Sequence, residues 1–347
     1  MNKVPGSIPN MIFGPDSATA FIVNKSTKRL AKWTIGIVLM AVLCWNLYRQ
    51  IQMQLASGIA FHWWPSGTYG YFIAVLLLLP LNIGLETRKW QLLVQTAIPI
   101  SWRESMRSVL GGIAASIITP NRIGEYPGRI LILKQHTSTR LLSVAVLGAC
   151  AQMLSLMLAG FGGQLYYCSL HPQPLYFMVA VINGLFCILL GLLYFSFERW
   201  APFIEQFRAL RRIKMWARLL HRFNRSEQFR ILMFSIARLL VFSLQFWLLL
   251  TWQGLELQLG SGLLMCMLFF WALAIIPSIA LAELGIRGTI AIFIFGTNHS
   301  NIAGITLAVF LLWLINLMVP AMLGAYLILK PTRGTPEISS AITTGKE

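Results

Sequence analysis

The sequence predicts an all-α polytopic membrane protein, and three observations support this fold class. Hydrophobic residues make up 57% of the 347 residues, whereas charged residues make up only 11%. A soluble domain usually carries about 25% charged residues, and a soluble globule of this length could not bury so much apolar surface. The apolar residues also lie in long runs, and most Lys and Arg residues lie between those runs. A disordered chain, a coiled coil and a secreted disulfide scaffold are therefore excluded.

Six apolar runs come close to the length of about 20 residues that a helix needs to cross the hydrocarbon layer. These predicted spans are Trp33–Gln50, Tyr69–Leu85, Leu141–Tyr166, Pro174–Phe197, Ile231–Trp252 and Ile302–Leu329. Two further apolar stretches are interrupted. Ser108–Thr119 ends at Pro120, and Gly262–Ile276 is followed by Pro277, a charged cluster and a short run that ends at Phe295. We expect each interrupted stretch to form a re-entrant hairpin.

The positive charges predict which side of the membrane each connection faces. The chain has 28 Lys and Arg residues against 11 acidic residues, a formal net charge of +17. Connections on both sides of Ser108–Thr119 are basic, whereas the two that flank Gly262–Phe295 contain no Lys or Arg. Because cytoplasmic loops carry the excess of Lys and Arg, both termini are predicted to be cytoplasmic. The first hairpin then enters from the cytoplasm and the second from outside.

This order of elements predicts an inverted-topology repeat. Residues 33–166 read span, span, hairpin, span, and residues 174–330 repeat that order from the opposite side of the membrane. Many secondary transporters are built in this way, with the substrate site at the repeat interface. The alternative is eight ordinary spans, two of them short.

Segments outside the spans complete the predicted domain organisation. Residues 1–32 form a cytoplasmic tail, residues 33–330 form the transmembrane domain, and residues 331–347 form a disordered cytoplasmic tail. Between the fourth and fifth spans lies the basic segment 198–230. Apolar residues recur every three or four positions across residues 203–223, with Arg and Lys between them. This pattern predicts a helix on the inner leaflet that attracts anionic lipids, and an ordinary positive-inside loop is the alternative.

Each interrupted stretch carries a Glu five or six residues after a Pro, and an Arg four residues after that Glu. A charge at the bilayer centre costs roughly 2.5–3.5 kcal/mol, which pairing of Glu with Arg offsets. Irregular backbone at this depth must be buried in protein or line a wet cavity. An Arg guanidinium suits a lipid phosphate because its fork can hold two oxygens. The candidate substrate-binding residues are Arg122, Glu125, Arg129, Glu283 and Arg287. Purely structural ion pairs are the alternative.

Other polar residues give no sign of a cofactor. The chain has one Asp, no G-x-x-x-x-G-K-[ST] loop, and His and Cys residues without metal-ligand spacing, so neither a metal nor a nucleotide is predicted. Two interpretations are open for Arg238, inside the fifth span: snorkelling to the cytoplasmic face or pairing with Glu125. Asn82, Asn183 and Asn316 lie in apolar runs and predict hydrogen bonds between helices.

The first hairpin motif, Thr119–Glu125 followed by Arg129, resembles the first signature of the lysylphosphatidylglycerol synthase transmembrane family. This family comprises the flippase-like domain of the multiple peptide resistance factors and stand-alone bacterial and archaeal proteins. Its second signature contains Gly-x-Arg-Glu, of which Gly285-Ile286-Arg287 keeps the first three positions, while Gly288 replaces the acid. The resemblance covers roughly residues 32–330.

The resemblance implies a protein that moves a lipid across the bilayer, such as an anionic phospholipid or a polyprenyl-phosphate-linked lipid, in a bacterial inner membrane. In the full-length relatives a separate soluble domain makes the aminoacylated lipid. Only 17 residues follow Lys330, so we expect no aminoacyltransferase activity and no enzyme. Two alternatives stay open: a non-transporting scaffold for a membrane transferase partner, or a lipid head-group transferase with Glu125 as the base. No nucleic-acid partner is expected.

Overall fold

The computed structural model describes residues 69–117, 119, 122–133, 138–196, 223–276, 283–296 and 301–329. Every regular element in these ranges is helical, which confirms the predicted all-α class for this part of the chain. The helices are α1 (Tyr69–Gln95), α2 (Trp102–Ile117), α3 (Glu125–Ile132), α4 (Ser138–Leu170), α5 (Pro174–Phe195), α6 (Arg225–Trp252), α7 (Leu259–Ile275), α8 (Glu283–Phe295), α9 (Ile302–Trp313) and α10 (Val319–Leu329). A π-helical turn, Leu314–Met318, joins α9 to α10.

Five of the described helices are long and apolar enough to cross a membrane, and each overlaps one of the predicted spans. They are Tyr69–Gln95, Leu141–Leu170, Pro174–Phe195, Arg225–Trp252 and Ile302–Leu327. The predicted span Trp33–Gln50 lies outside the described residues, as do both predicted tails and residues 198–222 of the basic segment. The multi-pass membrane prediction is confirmed at this level.

Both interrupted stretches fold as pairs of short helices that pack against each other. The first pair is α2 with α3, and the second is α7 with α8. Helix α2 ends at Ile117 and α3 begins at Glu125, whereas α7 ends at Ile275 and α8 begins at Glu283. Pro120 and Pro277 lie in the sequence between the two helices of each pair. Pro cannot continue a helix because it lacks an N–H donor and its ring clashes with the preceding turn. The membrane orientation of the two pairs stays a prediction.

Two of the helices begin with reciprocal capping interactions that the sequence encodes. At α2, the Ser101 backbone N–H donates to Glu104 Oε2 (2.9 Å), and the Glu104 backbone N–H donates to Ser101 Oγ (3.3 Å). These hydrogen bonds from Ser101 lower the pKa of the Glu104 carboxyl. At α6, the side chains of Asn224 and Glu227 form the same capping box. Such boxes satisfy backbone donors that the first helical turn leaves without partners.

The helices pack closely where small residues face a neighbour, and the lipid-facing surface is apolar. A methyl group built on Gly163 of α4 would lie 2.5 Å from the carbonyl oxygen of Leu264 in α7, so only Gly permits this approach. Helices α1 and α6 pack along each other, and α4 lies against α5, α6 and α7. By contrast, α5 exposes Phe177, Ile182 and Leu185, as a helix that faces lipid would.

Candidate functional site

Helix α1 continues ten residues beyond the apolar run that predicted it, and this extension places charges inside the protein. The predicted span ends at Leu85, whereas the helix extends to Gln95 and therefore includes Glu86, Arg88 and Lys89. Glu86 and Lys89 are both buried on one face of α1. A buried charge needs ionic partners because its desolvation is costly, and other helices supply them here.

Three cations share the Glu86 carboxylate. Its Oε1 lies 2.7 Å from Arg129 Nη1, and its Oε2 lies 2.8 Å from Lys89 Nζ and 3.0 Å from Arg238 Nη1. Arg129 also pairs with Glu125, four residues earlier in α3. We call these five side chains the ion cluster. It joins α1, α3 and α6, and its three cations and two carboxylates carry a net charge of +1.

Arg129 lies buried between α1 and the first helix pair. Its side chain is 1% exposed, and its guanidinium lies over the rings of Trp90 (5.1 Å) and Tyr126 (5.3 Å). The Trp90 indole donates to Ser108 Oγ (2.9 Å), which donates to the Arg129 carbonyl oxygen (2.8 Å). These contacts fix α3 against α1 and α2. Arg129 is therefore part of the protein's framework, with little surface for a ligand.

Arg238 continues the ion cluster into a chain of amide side chains. Its Nε donates to Asn82 Oδ1 (3.1 Å), and Asn82 Nδ2 donates to Asn316 Oδ1 in the π-helical turn (3.1 Å). Arg238 thus pairs with Glu86 and Asn82 and not with Glu125, whereas snorkelling to the cytoplasmic face stays a prediction. The predicted hydrogen bonds between helices are confirmed, because Asn183 Nδ2 also donates to Gln164 Oε1 (2.9 Å).

A cavity of about 610 Å³ lies beside the ion cluster, and both helix pairs contribute to its wall. Its charged lining residues are Arg122, Glu125, Arg238 and Arg287. The remaining wall is mostly apolar and includes Phe242, Phe270, Leu273, Ile276 and Ile286. Three cations against one carboxylate give the charged lining a net positive charge. The cavity therefore presents both a cationic and an apolar surface to whatever enters it.

The structure brings three of the five sequence-predicted site residues to this cavity: Arg122, Glu125 and Arg287. Arg129 lies buried behind the wall, and the side chain of Glu283 lies outside the described residues. Arg122 adopts a left-handed backbone conformation (φ 56°), which is uncommon for a residue with a side chain and clusters at functional sites. Its N–H donates to the Thr119 carbonyl oxygen (3.3 Å) in the turn between α2 and α3.

Sequence reasoning missed Glu86 and Lys89 as members of the site. The available signal was their position directly after an apolar run, with the three-residue spacing that places two side chains on one helix face. No His, Cys, Asp and Glu side chains group in threes to hold a metal ion within the described ranges. The described site instead offers guanidinium groups and paired carboxylates.

Comparison with known proteins gives one match. The family model described as the lysylphosphatidylglycerol synthase TM region matches residues 23–324, which is most of the chain. No curated protein and no solved structure shows significant similarity to it.

Proposed function

Because this chain belongs to the lysylphosphatidylglycerol synthase TM region family, we propose that it is a lipid translocase. Its substrate is an anionic phospholipid or a polyprenyl-phosphate-linked lipid, which it moves between the leaflets of a bacterial inner membrane. The protein itself makes no covalent change to the lipid. In this proposal, the head group passes through the cavity while the hydrocarbon chains stay on apolar surface.

The cavity lining is cationic in one part and apolar in another, and this observation supports the proposal. Arg122, Arg238 and Arg287 supply guanidinium groups, which bind phosphate oxygens in pairs, while Phe270 and Ile286 supply apolar surface. A lipid phosphate crossing the bilayer core needs a low-energy polar environment because an unpaired charge there is costly. The net positive lining offers that environment to an anionic head group and disfavours a cationic one.

A translocase of this kind requires the two helix pairs to enter the membrane from opposite sides. We take α2 and α3 to enter from the cytoplasm, α7 and α8 to enter from outside, and both termini to be cytoplasmic. Both pairs contribute residues to one cavity, as hairpins at the interface of an inverted repeat would. The basic segment 198–230 would then recruit anionic lipid at the inner leaflet.

Leaflet exchange in vesicles tests the function. Full-length protein is reconstituted with a trace of phosphatidylglycerol labelled on its head group, and a membrane-impermeant quencher is added outside. Wild-type protein should expose inner-leaflet label that protein-free vesicles keep protected. Arg122→Gln and Arg287→Gln should slow this exposure about tenfold or more, since each removes a charge-assisted hydrogen bond. Arg103→Gln, an exposed cation on α2 outside the cavity, is the matched control.

The rival functions predict different results. A scaffold for a membrane transferase would show no exchange with labelled phosphatidylglycerol or with a labelled polyprenyl phosphate, and would tolerate both cavity substitutions. A head-group transferase would change which lipids are present in a deletion strain, whereas a translocase changes only their leaflet. Exchange that is equal in wild type, both cavity variants and protein-free vesicles would overturn the translocase proposal.

A further inference from the structure

We propose that Arg238 is the residue that binds the phosphate of an anionic head group inside the cavity. This inference rests on the proposed function and names the binding residue that the sequence did not single out. Arg238 is the member of the ion cluster from α6 that also lines the cavity. It therefore connects the buried charges with the space that a ligand would occupy.

Contacts with neighbouring side chains fix the position of the Arg238 guanidinium. Its Nη1 forms an ion pair with Glu86 Oε2 (3.0 Å), its Nε donates to Asn82 Oδ1 (3.1 Å), and its guanidinium lies 5.1 Å from the centre of the Phe242 ring. The third nitrogen, Nη2, forms no hydrogen bond or ion pair within the ranges that the structure describes. The side chain is 19% exposed, whereas Arg129 and Lys89 are almost fully buried. A fixed guanidinium loses little conformational entropy when it binds phosphate.

Charge balance gives a second, independent reason. The ion cluster has three cations and two carboxylates, so it carries one positive charge more than its internal partners neutralise. A phosphodiester carries one negative charge, which brings the sum to zero. Electrostatic attraction is strong here because the surrounding cavity wall is largely apolar. The ligand class that the subsite fits is therefore a monoanionic phosphate diester.

Lys89 provides a matched comparison for Arg238. Both cations bond the same oxygen, Glu86 Oε2, and each carries one positive charge. Lys89 does not line the cavity, and its amino group donates to Gln152 Oε1 (3.1 Å), a residue that does. Substituting either cation with Gln changes the charge of the ion cluster equally. The two variants differ in whether the lost cation faces the cavity.

Binding by full-length, detergent-purified protein tests the subsite separately from transport. Isothermal titration with short-chain phosphatidylglycerol is compared for wild type, Arg238→Gln and Lys89→Gln, with short-chain phosphatidylcholine as the zwitterionic lipid. We expect Arg238→Gln to weaken phosphatidylglycerol binding about tenfold to a hundredfold, the value of a charge-assisted hydrogen bond. Lys89→Gln removes the same charge but no donor that faces the cavity, so it should weaken binding clearly less than Arg238→Gln does. A second arm adds inorganic phosphate as a competitor.

Equal phosphatidylglycerol affinities of wild type and Arg238→Gln would overturn the inference, as would equal losses of affinity in Arg238→Gln and Lys89→Gln. It would also be overturned if folded wild-type protein bound no phosphatidylglycerol. Size-exclusion chromatography and thermal denaturation establish that each variant is folded. Competition by inorganic phosphate at similar concentrations would support the anion subsite but overturn the lipid as its ligand. Normal binding without leaflet exchange would reject the proposed function and leave the subsite standing. Normal exchange by Arg238→Gln would reject the subsite alone.

Discussion

Glu86 is a carboxylate that three cations share, and its burial makes that sharing a condition of folding. Lys89, Arg129 and Arg238 come from three different helix segments, and each needs an anionic partner once it is removed from water. Glu125 neutralises part of this charge through Arg129. The balance of the ion cluster thus depends on a side chain that shows only 3% of its surface.

Replacing Glu86 with Gln should destabilise the protein by about 3–5 kcal/mol, because three cations, two of them buried, would then face one carboxylate. The free energy of unfolding can be measured by titration with sodium dodecyl sulfate in mixed micelles. The double variant Glu86→Gln/Lys89→Gln restores the net charge of the ion cluster and should recover part of the loss. If the double variant is as unstable as the sum of the two single variants, charge balance is not the cause.

At the scale of helices, two kinds of local sequence signal set where elements begin and how closely they approach. Capping boxes start α2 and α6, and a proline lies in the sequence between the two helices of each pair. Glycines then let helices pack at short distance. Gly163 brings α4 against the backbone of α7, the helix whose C-terminal end contributes Leu273 and Ile275 to the cavity.

Gly163→Ala should destabilise the contact between α4 and α7 by roughly 1–3 kcal/mol. The added methyl group would lie 2.5 Å from the backbone oxygen of Leu264, and backbone cannot rotate away as a side chain can. The neighbouring Gly162→Ala is the control, since its methyl group would meet only the Leu264 side chain at an ordinary 3.6 Å. Thermal denaturation in detergent compares the two, and equal midpoints would contradict the packing argument.

At the scale of the whole molecule, apolar runs and prolines were sufficient to predict every described span and the two pairs of short helices, because each depends on local composition. They failed at the end of α1, where charged residues continue the helix since partners from α3 and α6 neutralise them. The partner of Arg238 was missed for the same reason: Glu86 lies 152 positions earlier in the chain. Pairing between distant segments leaves no periodic signal in a single sequence, whereas apolar runs and prolines do.

The sidedness of the molecule can be tested by labelling single cysteines in intact cells and in inverted vesicles. Arg103, near the start of α2, and Gln258, just before α7, are both exposed and lie at the entrances of the two helix pairs. In a background without native cysteines, Arg103→Cys should react with an impermeant maleimide only in inverted vesicles. Gln258→Cys should react only in intact cells, because its connection carries no Lys or Arg. Labelling of both from one side would reject the inverted repeat, and with it the idea that the two helix pairs reach the cavity from opposite leaflets.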